Sequence, residues 1–469
     1  MFTGSTEVAS LLQRNIATRL DAQGRPTPLI AETGGMNAMI VDSSALTEQV
    51  VVDVLASAFD SAGQRCSALR VLCLQDDVAD HTLKMLRGAM AECRMGNPGR
   101  LTTDIGPVID AEAKANIENH IQTMRAKGRP VFQAVRENSE DAREWQTGTF
   151  VPPTLIELAS FDELKKEVFG PVLHVVRYNR NNLNELIDQI NASGYGLTLG
   201  VHTRIDETIA QVTGNAKVGN LYVNRNMVGA VVGVQPFGGE GLSGTGPKAG
   251  GPLYLYRLLA NRPENALGVT LARQDADYPV DAQVKAVLTQ PLDALIKWAE
   301  NRPELRAIAQ QYGELAQAGT QRLLPGPTGE RNTWTLMPRE RVLCMADDEQ
   351  DALVQLAAAT ATGCEVLWPE DALHRDLAKQ LPKAVSARIR FAKADALLTQ
   401  PFDAVIYHGD SDQLRELCEQ VAARSGAIVS VQGFARGETN LLLERLYVER
   451  SLSVNTAAAG GNASLMTIG

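Results

Sequence analysis

The chain of 469 residues has few of the features that mark secreted, membrane-bound or metal-dependent proteins. Its six cysteines are too few for a disulfide framework, and none belongs to a CxxC pair. Its six histidines are scattered without the spacing of metal ligands, so no metal site is expected. No apolar run is long enough to cross a bilayer, and no basic-then-apolar signal peptide opens the chain. We therefore expect a protein of the reducing cytoplasm without a membrane span.

An excess of positive charge is also absent. The net charge is −10 and the isoelectric point is near 5.3, which argues against a nucleic-acid surface on this chain. Hydrophobic content of 44% and charged content of 21% are ordinary for a globular protein. The length is sufficient for two or three domains with sizeable cores.

Two stretches of alternating strands and helices predict an α/β fold. The first runs from Pro28 to about Asn226, and the second begins at Arg341. The second predicts a smaller, doubly wound sheet, and none of its strand-to-helix turns carries GxGxxG or GxxxxGK, so no nucleotide site is expected there. The predicted strands are residues 29–32, 38–41, 69–74, 149–158, 172–178, 197–202, 220–224, 341–345, 365–368, 388–392, 404–408 and 428–432; the predicted helices are residues 7–20, 46–62, 81–93, 110–126, 181–192, 348–361 and 412–424.

Three further segments have distinct compositions. Residues 227–251 contain nine glycines interspersed with apolar residues, which predicts an ordered loop whose backbone approaches something closely. Residues 263–325 are polar and helical in pattern, with one long amphipathic stretch from Pro291 onward. Residues 451–469 carry no charge and include several apolar residues, so we expect this tail to dock as an added strand with an extended cap.

Glu32 and Cys66 are the strongest candidates for chemistry. They are 34 positions apart, each lies in a glycine-containing turn, and the predicted helix 46–62 separates them. That helix can fold back so that the carboxylate and the thiol reach one cleft. A thiolate that attacks a carbonyl and a carboxylate that later activates water form the minimum apparatus for covalent acyl chemistry. Taken singly, each residue is more often structural than catalytic, so the neighbouring motifs decide.

Four short strings, taken together, resemble the aldehyde dehydrogenase superfamily. They are Phe-Thr-Gly-Ser-Thr-Glu at 2–7, Ala-Glu-Thr-Gly-Gly at 31–35, Gly-Gln-Arg-Cys-Ser-Ala at 63–68 and Glu-Val-Phe-Gly-Pro-Val at 167–172. The resemblance covers residues 1 to about 260. It implies a three-layer α/β catalytic domain, which a second, smaller doubly wound α/β domain follows.

Further strings resemble one branch of that family, the glutamate-semialdehyde or pyrroline-5-carboxylate dehydrogenases. They are the string around Cys66, Gln-Pro-Phe-Gly-Gly at 235–239 and Ser-Gly-Thr-Gly-Pro-Lys-Ala-Gly-Gly-Pro at 243–252. The C-terminal α/β domain and the tail resemble the long bifunctional proline-catabolic members. The resemblance then extends over all 469 residues and implies NAD-dependent oxidation of L-glutamate γ-semialdehyde to L-glutamate, the second step of proline catabolism.

The resemblance also implies roles for individual residues. Cys66 would be the nucleophile that forms a thiohemiacetal and then a thioester, and Glu32 would activate the water that hydrolyses it. The loop glycines would bind the substrate's α-carboxylate through backbone N–H groups, whereas Lys248 is expected to face solvent. The implied cofactor contacts are Gly4, Ser5, Glu167 and Phe169, and the implied substrate contacts are Ser67, Phe237, Ser243, Gly250 and Gly251.

The sequence departs from the family pattern in two respects. Thr33 stands where many relatives have leucine, for which we expect a minor effect. The family's Pro-Trp-Asn-Phe-Pro segment, whose asparagine helps to form the oxyanion hole, and its ribose-binding Lys-Pro segment do not occur. Removal of one oxyanion donor costs about 10²–10³ in turnover. The chain is therefore expected to be an N-terminally truncated portion that binds NAD weakly or not at all and is inactive in isolation.

Two alternative functions remain open at this point. A CoA-acylating thiol enzyme would keep Cys66 but have less use for Glu32, and a non-catalytic assembly or lid module would need neither.

The expected partners are a small aldehyde, the proline dehydrogenase and cofactor-domain portions that would precede this chain, and further copies in a homo-oligomer. The predicted domains are residues 1–31 (remnant of the dinucleotide-binding domain), 32–226 (catalytic), 227–262 (glycine-rich substrate-anchor and oligomerisation segment), 263–340 (helical connector), 341–450 (C-terminal α/β domain) and 451–469 (docking tail).

Overall fold

A computed structural model describes residues 1–134, 148–259, 277–278 and 282–457. The chain divides into two compact units. The first contains residues 1–32, 235–324 and 333–451, and the second contains residues 33–234, 325–332 and 452–469. The six domains predicted from sequence stay predictions. Within the described residues, no helix is both long and apolar enough to cross a membrane.

The second unit contains a largely parallel sheet with helices. Its core strands are almost entirely buried, as expected for near-continuous apolar runs in a parallel sheet. The strands lie in the order Asn220–Val223, Thr198–His202, Ala38–Val41, Val71–Gln75, Val172–Tyr178, Thr154–Glu157 and Val131–Gln133, all parallel except the last. Its helices are Thr47–Phe59, Asp76–Glu92, Ala111–Ala126, Leu183–Ala192 and Asp206–Asn215.

The first unit contains a five-stranded parallel sheet, which confirms the predicted doubly wound arrangement. Its strands lie in the order Ile389–Ala392, Glu365–Pro369, Arg341–Met345, Ala404–His408 and Ser430–Phe434, so the strand order reverses at Arg341–Met345. The helices of this unit are Thr6–Ala17, Tyr254–Leu258, Ala282–Trp298, Pro303–Leu315, Glu349–Thr362, Ala372–Gln380, Lys383–Ser386 and Ser411–Ala422. The short strands Phe2–Thr3 and Ala31–Glu32 pair in parallel near its N-terminus.

The predicted helical connector differs most from the structure. The helix Ala282–Trp298 contains Pro291 in its interior, so the prediction that a helix opens at this proline is wrong. This helix ends at the 3₁₀ turn Ala299–Asn301. The next helix starts with Pro303 in its first turn, where a proline costs no hydrogen bond. The remainder includes two strands, Gln321–Leu324 and Glu330–Pro338, where helix was expected. The helical periodicity was therefore extended too far along the chain.

The C-terminal strand Tyr447–Asn455 includes the strand that was predicted in the tail, but it starts four residues before Ser451. Its side chains alternate between buried and half-buried positions up to Ser453. The remainder of the predicted docking tail, residues 458–469, lies outside the described residues.

Candidate active site

Cys66 follows a left-handed turn at the end of the helix Thr47–Phe59. The predicted helix 46–62 is too long, because Ser61 and Ala62 adopt φ angles of 56° and 53°, outside the helical region. Gly63 follows with φ +65°. A Cβ atom on Gly63 would lie 2.2 Å from the carbonyl oxygen of Gly170, so glycine is required for both reasons. The turn leaves Cys66 half-buried, with its thiol in the reduced form.

A buried asparagine fixes the backbone around Cys66. The Asn37 Nδ2 group donates hydrogen bonds to the carbonyl oxygens of Cys66 (2.7 Å) and Ala68 (2.8 Å). Its Oδ1 atom accepts a hydrogen bond from the backbone N–H of Thr198. Asn37 is 1% exposed, so these bonds are shielded from water. Ser67, between the two anchored carbonyls, is buried.

Arg70 joins the cysteine turn to the segment that contains Glu167. Its Nη1 atom donates to the carbonyl oxygens of Gly63 (2.7 Å) and Gly170 (3.3 Å), and its Nη2 atom donates to that of Arg65 (3.1 Å). Its Nη2 and Nε atoms also donate to Glu167 Oε1, at 2.9 and 3.1 Å. The guanidinium therefore holds together two segments that are about 100 residues apart in the chain.

The electrostatics of this cluster are dominated by the buried arginine. Burial lowers the pKa of Arg70, and the negative charges of Glu167 and of the Cys66 thiolate oppose that change. The arginine therefore interacts favourably with an ionised thiol, which is the reactive form. Glu167 Oε2 accepts a hydrogen bond from Gly35 N–H at 3.2 Å, and the half-exposed Phe169 ring packs over the guanidinium at 5.0 Å.

Arg70 and Asn37 are site residues that sequence reasoning missed. Arg70 interrupts the apolar run 68–74, and a charged residue in a buried strand-like run needs a partner. That signal could have found it. Asn37 directly precedes the strand Ala38–Val41 and offers no comparable signal, because asparagine is common at strand ends.

Glu32 lies in the first unit, at the end of the strand Ala31–Glu32. Its Oε2 atom accepts a hydrogen bond from Gly239 N–H at 3.1 Å, and its Oε1 atom is buried without a hydrogen-bond partner among the described residues. Burial raises the pKa of Glu32 to about 7, whereas the Gly239 bond and the charge of Lys248 lower it. A carboxyl group that titrates near neutrality suits a general base. Its pairing with Cys66 stays a prediction.

Lys248 is not exposed to solvent as expected. It is 2% exposed, its Nζ atom donates to the Gly238 carbonyl oxygen, and its backbone N–H donates to Glu449 Oε2 at 2.8 Å. The glycine-rich loop packs closely around this side chain and encloses it. The prediction that Lys248 faces solvent is therefore wrong.

The predicted substrate-binding residues of the glycine-rich loop also lie in the first unit. Phe237 and Ala249 exchange backbone hydrogen bonds across the loop at 3.0 and 2.8 Å. Ser243 is fully buried, and Gly251 N–H already donates to the Lys248 carbonyl oxygen at 3.0 Å. Gly250 has φ +72°, and a Cβ there would meet no atom within 4 Å. The structure thus leaves space at Gly250, whereas a Cβ on the half-buried Gly251 would lie 2.7 Å from Glu449 Oε1.

The predicted phosphate contacts lie at the start of the helix Thr6–Ala17. Ser5 caps this helix by accepting a hydrogen bond from Val8 N–H at 3.3 Å, and serine is a preferred N-cap residue. Gly4 N–H donates to the Glu32 carbonyl oxygen at 3.1 Å. Both residues are exposed. Among the described residues, no group of three or more His, Cys, Asp or Glu could hold a metal ion.

Each unit contains a parallel α/β sheet, and the second unit also carries a reduced thiol on a constrained turn. Residues 1–260 match the model of the aldehyde dehydrogenase family, and since this is more than half of the chain, the chain belongs to that family.

The relatives have consistent descriptions. The chain is 87% identical over 469 residues to the bifunctional protein PutA of Escherichia coli (strain K12). This match covers 100% of this chain and 36% of the relative, in the relative's C-terminal part. It is 34% identical over 256 residues to 1-pyrroline-5-carboxylate dehydrogenase of Bacillus cereus (strain B4264), over 54% of this chain and 48% of the relative. The chain thus spans little more than a third of the length of the PutA relative.

A solved structure extends the likeness of the fold to nearly the whole chain. Proline Utilization A from Corynebacterium freiburgense matches 97% of this chain and 41% of its own, with a TM-score of 0.68 and 24% identity. At that identity the likeness concerns the fold alone.

Proposed function

We propose that this chain carries the thiol and the general base of an NAD-dependent dehydrogenase. Its substrate would be L-glutamate γ-semialdehyde, which forms from pyrroline-5-carboxylate, and its product L-glutamate, in the second step of proline catabolism. The observation that carries the proposal is the 87% identity with a PutA protein over the whole chain. The 34% identity with a pyrroline-5-carboxylate dehydrogenase over 256 residues supports the choice of substrate.

Cys66 and Glu32 would act one after the other in the reaction. The Cys66 thiolate adds to the aldehyde carbon, and loss of hydride from the resulting thiohemiacetal leaves a thioester on Cys66. Glu32 removes a proton from a water molecule, which adds to the thioester carbonyl and expels the thiolate. Arg70 supports the first step because its charge favours the thiolate. The raised pKa of Glu32 supports the second, because a base near neutrality accepts a proton readily.

The residues implied as cofactor contacts fit a dinucleotide in their local chemistry. The exposed start of the helix Thr6–Ala17, with Gly4 and Ser5, offers backbone N–H groups to a phosphate. The half-exposed Phe169 ring offers an apolar face, and the neighbouring Glu167 carboxylate could accept hydrogen bonds from ribose hydroxyl groups. NAD, when bound, supplies the acceptor for the hydride.

The experiment uses a protein extended to the length of the PutA relative. In Cys66→Ala, aldehyde oxidation should disappear while NAD affinity stays within a few-fold. In Glu32→Gln, hydride transfer should occur once and hydrolysis should stall, which is visible as a burst of NADH without turnover. Steady turnover above about 1% of the unmodified rate in either variant would remove these roles, since each loss should exceed roughly 10²-fold.

The same experiment separates the alternative thiol chemistry. If the Cys66 acyl group passes to added CoA faster than to water, the chain belongs to a CoA-acylating enzyme instead. The Glu32 carboxylate, held by Gly239 N–H in a buried position, favours hydrolysis.

We also propose that the protein acts in the cytoplasm as a homo-oligomer. Six free cysteines support a reducing compartment. The short helix Tyr254–Leu258 and the residue after it expose leucines at 255, 258 and 259, which are 71%, 46% and 50% exposed. A second copy that covers them would bury this apolar surface. Light scattering should give the mass of more than one chain, and Leu255→Asp should lower it.

A further inference from the structure

Lys248 is a buried charge to which the proposed chemistry assigns no task. Burial of an ammonium group is costly unless it is paired and hydrogen-bonded. Its Nζ atom donates to the carbonyl oxygen of Gly238. That carbonyl belongs to the same peptide group as Gly239 N–H, which donates to Glu32 Oε2 at 3.1 Å.

The Lys248 ammonium and the Glu32 carboxylate therefore contact opposite ends of one peptide group. A positive charge at the carbonyl oxygen polarises the peptide and strengthens the hydrogen bond that its N–H donates. The contact is close on both sides, because a Cβ on Gly238 would lie 2.8 Å from Glu32 Oε1 and 3.3 Å from the Lys248 Cα.

Glu449, on the strand Tyr447–Asn455, fixes the lysine. Its Oε2 atom accepts from Lys248 N–H at 2.8 Å, and its Oε1 atom accepts from Trp334 Nε1 at 3.0 Å. Trp334 is fully buried and Glu449 is 8% exposed. A Cβ on Gly251 would lie 2.7 Å from Glu449 Oε1, so the loop closes tightly over this carboxylate.

The charged groups around the Gly238–Gly239 peptide have opposing effects on the pKa values of Glu32 and Lys248. Burial raises the pKa of Glu32 to about 7; Lys248 lowers it, and Glu449 raises it. Burial lowers the pKa of Lys248 to about 8, while Glu449, Glu32 and Glu240 raise it and Arg450 lowers it. Glu240 and Arg450 also form an ion pair with each other at 3.1 Å. The positive charge of Lys248 therefore favours the ionised form of Glu32.

We propose that Lys248, held by Glu449, is a positioning residue for Glu32: its ammonium fixes and polarises the Gly238–Gly239 peptide and so keeps the Glu32 carboxylate ionised and oriented. This inference rests on the proposed role of Glu32 as general base. It assigns to the glycine-rich loop a task beyond substrate binding, because the loop transmits the lysine charge to the base.

The test uses the protein extended to the length of the PutA relative, with Lys248→Gln, Lys248→Met and Lys248→Arg. Glutamine retains a donor for the Gly238 carbonyl without the charge, methionine removes both, and arginine retains the charge. The readout is the pH midpoint of thioester hydrolysis after the NADH burst, between pH 5.5 and 9. We expect the midpoint to rise by about one pH unit in the glutamine and methionine variants, equivalent to a tenfold loss of ionised base at low pH. The Lys248→Arg variant should keep the midpoint of the unmodified protein.

Lys379→Met is the matched control, because this lysine is largely exposed and pairs with the exposed Asp376 one helical turn away. Its hydrolysis midpoint should not change. If both neutral Lys248 variants fold and keep the original midpoint, the positioning role is wrong. If methionine prevents folding, glutamine alone decides in the same way. A lower rate at an unchanged midpoint would indicate a merely structural lysine and would also overturn the inference. Failure of the proposed function is distinguishable, since Glu32→Gln would then hydrolyse the thioester as fast as the unmodified protein.

Discussion

Arg70 and Glu167 form an ion pair with 2.9 Å between Nη2 and Oε1, in which the arginine side chain is fully buried. The same guanidinium holds the carbonyl oxygen of Gly63, in the turn before Cys66, and its charge interacts with the thiolate. The positive charge of Arg70 therefore stabilises two negative charges, that of Glu167 and that of the Cys66 thiolate. Removal of one anion should leave the arginine charge available to the other.

The first prediction follows from this competition for Arg70. Glu167→Gln should increase the alkylation rate of Cys66 by iodoacetamide at pH 7 several-fold, because the uncompensated arginine favours the thiolate. Mass spectrometry after timed labelling identifies the modified cysteine, and Cys66→Ala removes the signal.

Glu163→Gln provides the matched control for that experiment. Glu163 lies in the same unit and pairs with a different arginine, Arg129, at 2.8 Å. Equal alkylation rates in the Glu167 variant and in this control would show that Arg70 does not divide its charge between the two anions.

The second prediction concerns the turn before Cys66. Gly63→Ala should lower the free energy of unfolding by at least about 2 kcal/mol, because the left-handed backbone costs about 1–2 kcal/mol and the new methyl group meets the Gly170 carbonyl at 2.2 Å. Gly128→Ala is the control: it has φ +74° but open space around the Cβ position. Urea denaturation should show a larger loss for Gly63→Ala, and equal losses would contradict the steric argument.

The third prediction concerns the choice of substrate. If the glycine-rich loop binds the α-carboxylate, glutamate semialdehyde should have at least a tenfold higher kcat/KM than an uncharged pentanal analogue in the extended protein. A hydrogen bond to a charged group contributes about 1.5–3 kcal/mol. Steady-state kinetics with both aldehydes measures the ratio. Equal efficiency would remove the carboxylate role of Ser243, Gly250 and Gly251.

Much of the fold was predictable because apolar runs bounded by turn residues determine buried strands. Ala38–Val41, Val172–Tyr178, Arg341–Met345 and Ala404–His408 have the predicted bounds. The strand Glu330–Pro338 was missed because its polar residues, among them Asn332 and Thr333, are buried against expectation. Local patterns reveal apolar burial, but they do not reveal which polar side chains find partners in the interior.

The candidate site was predictable only where residues belong to recognisable strings. Cys66 and Glu167 lie in such strings, and the structure joins their segments through Arg70. The buried position of Lys248 could not be read from the sequence, since it depends on Glu449, which is 201 residues away. Long-range pairing of charges is decided by tertiary packing, on which a local motif carries no information.

The fourth prediction concerns stability at acidic pH. His174 is fully buried, its Nε2 atom lies 2.9 Å from Nε2 of His120, and burial lowers its pKa to about 3. Since the unfolded chain binds this proton near pH 6.5, the stabilisation is complete above that pH and is lost as the pH falls toward 3. The free energy of unfolding in urea should therefore fall between pH 7.5 and 5.

His174→Gln should show a smaller fall over the same interval, because this side chain no longer titrates. His81→Gln is the control, since it removes a histidine that is exposed rather than buried. If the fall is the same in both variants, other groups such as the buried His202, with its pKa lowered to about 4, account for the acid sensitivity.

The fifth prediction separates the strand of the tail from the residues that follow it. In the second unit, Ser453 Oγ contacts Arg225 Nη1 at 2.7 Å, Asn455 Nδ2 donates to the Asn224 carbonyl oxygen at 3.0 Å, and Val454 is 2% exposed. Deletion of residues 453–469 removes these contacts, whereas deletion of residues 458–469 retains them. The longer deletion should lower the free energy of unfolding by at least about 2 kcal/mol relative to the shorter one, because burial of one valine alone contributes about 1.5–3 kcal/mol.

In the extended protein, the shorter deletion should slow aldehyde oxidation and leave proline oxidation nearly unchanged if residues 458–469 cover the aldehyde site. Unchanged flux from proline to glutamate in that variant would restrict the role of the tail to the strand.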